Sequence, residues 1–187
     1  ASGNIMSLLN FSTTLARYAF TNLFENCTSL TAAPELPATT LADFCYAFMF
    51  SGCTSLTTAP TLPATTLAQR CYFAMFQNCK ALTNAPELPV TTLKWYCYQN
   101  MFGGCTSLTT APTLPATTLV EGCYYFMFHN CEKLNYVKAM FTDVQDQNNL
   151  SHWLNGVAQY GTFIKNADAT WTKIEADIPP EWTVQTA

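Results

Sequence analysis

The chain has 187 residues, only 11% of them charged, and a formal net charge of −4. That balance supplies no basic footprint for a phosphate backbone, so nucleic acid is not an expected partner. No apolar run approaches the roughly 20 residues needed to cross a bilayer, and the start, Ala-Ser-Gly, reads as that of a trimmed fragment, so the absence of an export signal leaves location open.

Residues 1–22 read as a partial repeat and cap: Thr14, Leu15 and Ala19 lie one 26-residue period before Thr40, Leu41 and Cys45. Residues 23–137 are the repeat array, with copies opening at Leu23, Met49, Met75 and Met101 and a fifth at Met127 that fades after Leu134. An array of this kind buries each unit against its neighbours, which predicts stacked rungs whose equivalent residues form columns.

In the rung from Cys53 to Phe76, the apolar positions are Cys53, Leu56, Leu62, Leu67, Cys71, Met75 and Phe76. Ala59-Pro60-Thr61-Leu62-Pro63 is too proline-rich for a helix; alternation turns Leu62 inward and Thr61 outward, as in a very short strand. Pro34, Pro60, Pro86 and Pro112 each remove one N–H from the resulting parallel sheet and should interrupt it. Thr65 and Thr66 then offer a cap, and Leu67, Cys71 and Met75 at spacings of four predict a helix of about ten residues. Its outward positions carry Gln69, Trp95 and Glu121, or Phe73, Gln99 and Tyr125. Tyr46, Tyr72, Tyr98 and Tyr124, each after a helix cysteine, are expected to stack between neighbouring helices.

Nine cysteines fall in two columns, 27, 53, 79, 105 and 131, and 45, 71, 97 and 123. Adjacent rungs lie about 5 Å apart, inside the roughly 4.4–6.8 Å window for bridged Cα atoms, so vertical disulfides are conceivable; an odd count and strict equivalence favour buried thiols. Clustered Cys/His spacing for zinc is missing, and no cofactor is implied.

Residues 138–187 break the pattern and form a C-terminal cap, in which Leu150, Trp153, Leu154 and Val157 predict a helix followed by short strands. Trp153, Trp171, Trp182, Phe163 and Ile178 supply the bulk to seal the last rung. His129 and His152 read as surface or capping residues.

The candidate binding positions are Glu35, Thr61, Glu87 and Thr113, one per rung on the outward strand face. Two rungs place the glutamates about 10 Å apart, near the roughly 6.5–9.5 Å used by inverting glycosidases, but on an open face with no apolar pocket to raise either pKa. The strip predicts binding and no catalysis. Stacked on about five rungs it offers on the order of 350 Å², below the roughly 800 Å² per partner of a standard interface, so affinity must come from adjoining surfaces or many copies.

Phe50, Cys53, Leu56, Leu62 and Pro63, repeated over residues 14 to 137, resemble the leucine-rich repeats of BspA-like bacterial surface proteins. Trp153-Leu154-x-Gly156-Val157-Ala158, Gly161-Thr162-Phe163, Ala169-Thr170-Trp171 and Ile178-Pro179-x-x-Trp182-Thr183-Val184 are similar to the C-terminal tail of such proteins in anaerobic gut bacteria. The resemblance implies an α/β, right-handed leucine-rich-repeat solenoid of short parallel strands and short helices in 26-residue rungs. It also implies an exported, cell-surface, adhesive protein whose partner is a host or neighbouring-cell macromolecule. No catalytic, cofactor or metal residue comes with it. The alternatives are a structural spacer in a larger surface protein, and glycan binding by exposed rings such as Tyr125, Tyr160 or Trp171.

Overall fold

The computed structural model describes Ile5, Leu8 and residues 12–144 and 146–187. Successive 26-residue units lie one on the next. Phe24, Phe50, Phe76, Phe102 and Phe128 form one column with ring centroids 5.6–5.7 Å apart, and Tyr46, Tyr72, Tyr98 and Tyr124 form a second at 5.9–6.1 Å. All of these rings except Phe24 are at most 2% exposed, so each hides its faces against its own equivalents while filling the interior. Cys53, Leu56, Cys71, Met75 and Phe76 are fully buried, and Leu62 and Leu67 nearly so.

The predicted helix is absent. From Phe44 to Cys53 the chain is a run of tight turns in which amides alternate between two acceptors. Ala47, Met49, Ser51 and Cys53 each donate to the carbonyl three residues back, at 3.0–3.2 Å; Tyr46, Phe48, Phe50 and Gly52 each donate to the next rung, at 2.8–3.0 Å. Every fourth residue takes positive φ: Phe44, Phe48 and Gly52 in this rung; Arg70, Ala74 and Asn78 in the next; Tyr96, Asn100 and Gly104 after that. A turn whose third residue is left-handed, followed by one without, repeats every four residues. That period sends Leu41, Cys45, Met49 and Cys53 inward just as a helical face would. A helix would also hold neighbouring rungs about 8–10 Å apart, which does not fit rings spaced at 5.6 Å. The turn arc keeps the closer spacing and sends half its amides across it.

Left-handed backbone costs a non-glycine residue on the order of 1–3 kcal/mol, so the cross-rung hydrogen bonds must hold Phe44, Phe48, Arg70 and Tyr96 in place. At the third such position the sequence alternates: Asn26, Gly52, Asn78, Gly104, Asn130, Gly156, all with positive φ. The Oδ1 atoms of Asn26, Asn78 and Asn130 lie 2.2, 2.3 and 2.3 Å from where a Cβ would stand on Gly52, Gly104 and Gly156. Each asparagine therefore occupies the space its glycine leaves empty, and rungs couple in pairs.

The proline arc is sparser. Its predicted strand is reduced to isolated parallel bridges, among them Ala32 to Thr58, Thr58 to Asn84, and Thr14 to Thr40 to Thr66. A sheet forms where the prolines stop: β1 (Tyr136–Ala139), β2 (Thr162–Lys165) and β3 (Thr183–Thr186) pair in parallel in that order. Tyr136 pairs with Thr162 at the full 26-residue offset, and turn-arc bonds also run on, Phe128 N–H to Trp153 O at 2.9 Å and Asn130 N–H to Asn155 O at 2.7 Å. The backbone pattern thus continues beyond the residues that spell it. The helix expected around residues 150–157 is replaced by a 3₁₀ turn (Gln147–Asn149) and further tight turns. Trp153, Trp171 and Trp182 are at most 5% exposed, and their indole N–H groups donate to Ala176, Phe141 and Ala158 carbonyls at 2.8, 3.0 and 2.8 Å.

All nine cysteines are free thiols, and only Cys27 is exposed. The thiols of Cys53, Cys79, Cys105 and Cys131 donate to the carbonyls of Phe24, Phe50, Phe76 and Phe102 at 3.0–3.1 Å, each in the preceding rung. The vertical disulfides conceivable from the sequence are therefore not formed, and these four thiols are engaged as hydrogen-bond donors to the backbone instead.

Candidate binding face

Glu35, Thr61, Glu87 and Thr113 are all exposed, while the flanking Leu36, Leu62, Leu88 and Leu114 are buried. In-and-out alternation therefore survives without a continuous strand, because the buried leucine column anchors each rung. Between two adjacent rungs, Pro60, Thr61, Leu62, Pro63, Pro86, Glu87 and Pro89 line a shallow groove of about 210 Å³. Prolines contribute walls and no donors, so the surface offers carboxylates, hydroxyls and carbonyl oxygens.

The face extends further than the repeat suggests. Thr110 bridges Tyr136 at an offset of 26, but Leu114 bridges Ala139 at 25. One residue is lost in between, and Thr113 is followed in its column by Lys138, then by Ile164 and Gln185 across β2 and β3. The strip therefore runs from carboxylates at one end to an ammonium at the other, with Tyr136, 37% exposed, alongside Lys138. Sequence reading missed Lys138 because it falls out of register; the missing proline in Tyr136-Val137-Lys138-Ala139 was the available signal.

The turn arc carries a different surface. Tyr18 and Phe44 stack at 5.0 Å, and the Arg70 guanidinium lies between Phe44 and Tyr96, 5.4 and 4.6 Å from their centroids. The Tyr96 hydroxyl donates to the Glu121 carboxylate, which pushes that phenol's pKa up. These ring faces are already occupied by one another. Of the rings considered for sugar stacking, Tyr160 is 65% exposed and Tyr125 packs edge-on against Phe126. Trp171 is buried and hydrogen-bonded, which removes it from that role.

Burial pushes the thiols of Cys45, Cys123 and Cys131 up to about 12 and that of Cys53 to about 11. Protonated thiols are poor nucleophiles and poor metal ligands at neutral pH. His129 and His152, 23 residues apart, meet on one ring. His152 stacks on Phe126 at 5.0 Å and 8°, and His129 meets its edge at 4.9 Å.

Comparison of the chain with family models, with curated proteins and with solved structures returns no match. Among the described residues no helix is long and apolar enough to cross a membrane.

Proposed function

We propose that the chain is a non-enzymatic leucine-rich-repeat module displayed at a cell surface, binding a host or neighbouring-cell macromolecule through its proline arc. The observation that carries this reading is the column of exposed Glu35, Thr61, Glu87 and Thr113, each beside a buried leucine, continued by half-buried Lys138 between buried Val137 and Ala139. A surface so ordered and shallow suits weak contacts multiplied along the stack. The small area per copy makes display density the determinant of avidity. Adhesion fits that requirement better than a tight one-to-one complex.

The test is an array of matrix proteins, mucins and glycans probed with the protein displayed at high density on beads. Retention is expected under multivalent display, and a Glu35→Gln/Glu87→Gln/Lys138→Gln variant should lose most of it. Silence of the whole array, or retention unchanged in the triple variant, would overturn the proposal.

A further inference from the structure

The junction between the last full rung and the cap contains a half-buried histidine, one of whose two ring nitrogens has no acceptor for a proton. His129 Nδ1 is buried without a hydrogen-bond partner. One period earlier stands Gly103, with no side chain, and one period later Asn155, which is neutral. On its own rung it meets the Phe126 ring. The following rung brings His152, which covers the face of that same ring and whose Nδ1 lies 2.8 Å from Ser151 Oγ. The cap segment brings Asp177 and Glu175, and both carboxylates are already engaged. Asp177 Oδ2 accepts the His152 amide at 2.8 Å, and Glu175 accepts the Thr172 amide and hydroxyl at 2.6 and 2.9 Å. Neither contact supplies an acceptor at His129 Nδ1.

We propose that protonation of His129 releases the terminal rung, so that the cap acts as an acid-sensitive lid on the end of the stack. Opening would separate residues 151–155 from 126–130, breaking the Phe126–His152 stack and the bonds from Phe126, Phe128 and Asn130 N–H to Ser151, Trp153 and Asn155. The cap segment moves with that rung, because Trp153 Nε1 holds Ala176 O and Asp177 holds the His152 amide. Phe128, Met127 and Cys131, the last members of their columns, would then be uncovered.

Burial, with a contribution from His152, lowers the His129 pKa. The closed state therefore resists a proton that the open state accepts. Stability of the closed lid is complete above the ordinary histidine value near 6.5 and falls as pH drops below it. One proton limits the change to about tenfold in the opening equilibrium per pH unit.

Hydrogen exchange of the full chain, corrected for intrinsic rates, reads this directly. Opening at the Phe126, Phe128 and Asn130 amides should rise severalfold per pH unit between about 6.5 and 5, while the equivalent Phe76 amide in the array shows no such slope. His129→Gln, which installs the residue found one repeat pair earlier at Gln77, should abolish the slope. An equal slope in His129→Gln, or none in the unaltered protein, would overturn the proposal. Should that variant fold poorly, NMR titration of His129 in the unaltered chain decides, since a pKa at or above the ordinary value removes the mechanism.

Discussion

The two arcs of each rung solve the same stacking problem in opposite ways. In the turn arc alternate amides reach into the next rung, and left-handed residues are tolerated every fourth position to let them do so. In the proline arc cross-rung bonds are few and run in both directions, such as Thr57 N–H back to Thr31 O and Ala111 N–H forward to Tyr136 O. The side chains beneath, leucine on one side and cysteine, methionine and aromatic on the other, are equally buried. Columns of buried side chains can therefore keep rungs in register without a continuous sheet. Where a rung lacks proline, as at β1, the sheet appears.

The largest expected effect comes from the thiols of the turn arc and its continuation. Burial raises the pKa of eight of the nine cysteines above the ordinary value of 9.0. A group raised in this way contributes stability that is complete below its unfolded value and is lost as pH rises past it. The urea midpoint should accordingly hold to about pH 9 and fall steeply between about 9 and 11. A midpoint that stays level through that window would show that the thiols are not buried as neutral donors. Under native conditions at pH 8 only Cys27 should react rapidly with a thiol reagent, rising to nine on denaturation.

A smaller effect sharpens the role of left-handed backbone. Gly104→Ala places a Cβ 2.3 Å from Asn78 Oδ1 at φ +75° and should cost about 2–4 kcal/mol in equilibrium unfolding. Adding Asn78→Ser should recover the part due to the clash and leave the part due to φ. The same change at Gly103 meets the Asn100 Oδ1 at 2.0 Å but at a φ outside the left-handed region, so it should cost less by the backbone share alone.

The proline arc should be the more tolerant. Pro63→Ala, at an exposed position, is expected to destabilise by only about 0.4–1 kcal/mol, chiefly through the freedom it restores to the unfolded chain. A loss comparable to that of Gly104→Ala would mean that proline supports the rung directly, and the contrast between arcs would fail.

The inward residues of every rung were legible because a strict 26-residue period forces equivalent side chains into shared columns. For the same reason the outward placement of Glu35, Thr61, Glu87 and Thr113 could be read from alternation with the leucines. The Asn/Gly alternation from Asn26 to Gly156 was equally visible, though its meaning depended on the left-handed backbone. The turn arc was not legible, since a four-residue turn unit and a 3.6-residue helix bury nearly the same positions over ten residues; only the acceptors of the amides tell them apart. Lys138 was hidden by one deleted residue, and the meeting of His129 with His152 by the loss of the repeat between them. Sequence alone determined which residues are interior and which share a column, because periodicity and hydrophobicity are local properties of the chain. The tertiary structure decided how the backbone travels between columns and what meets at the cap. Those outcomes depend on hydrogen bonds and ring contacts made across rungs, where the spacing of one arc constrains the conformation of the other.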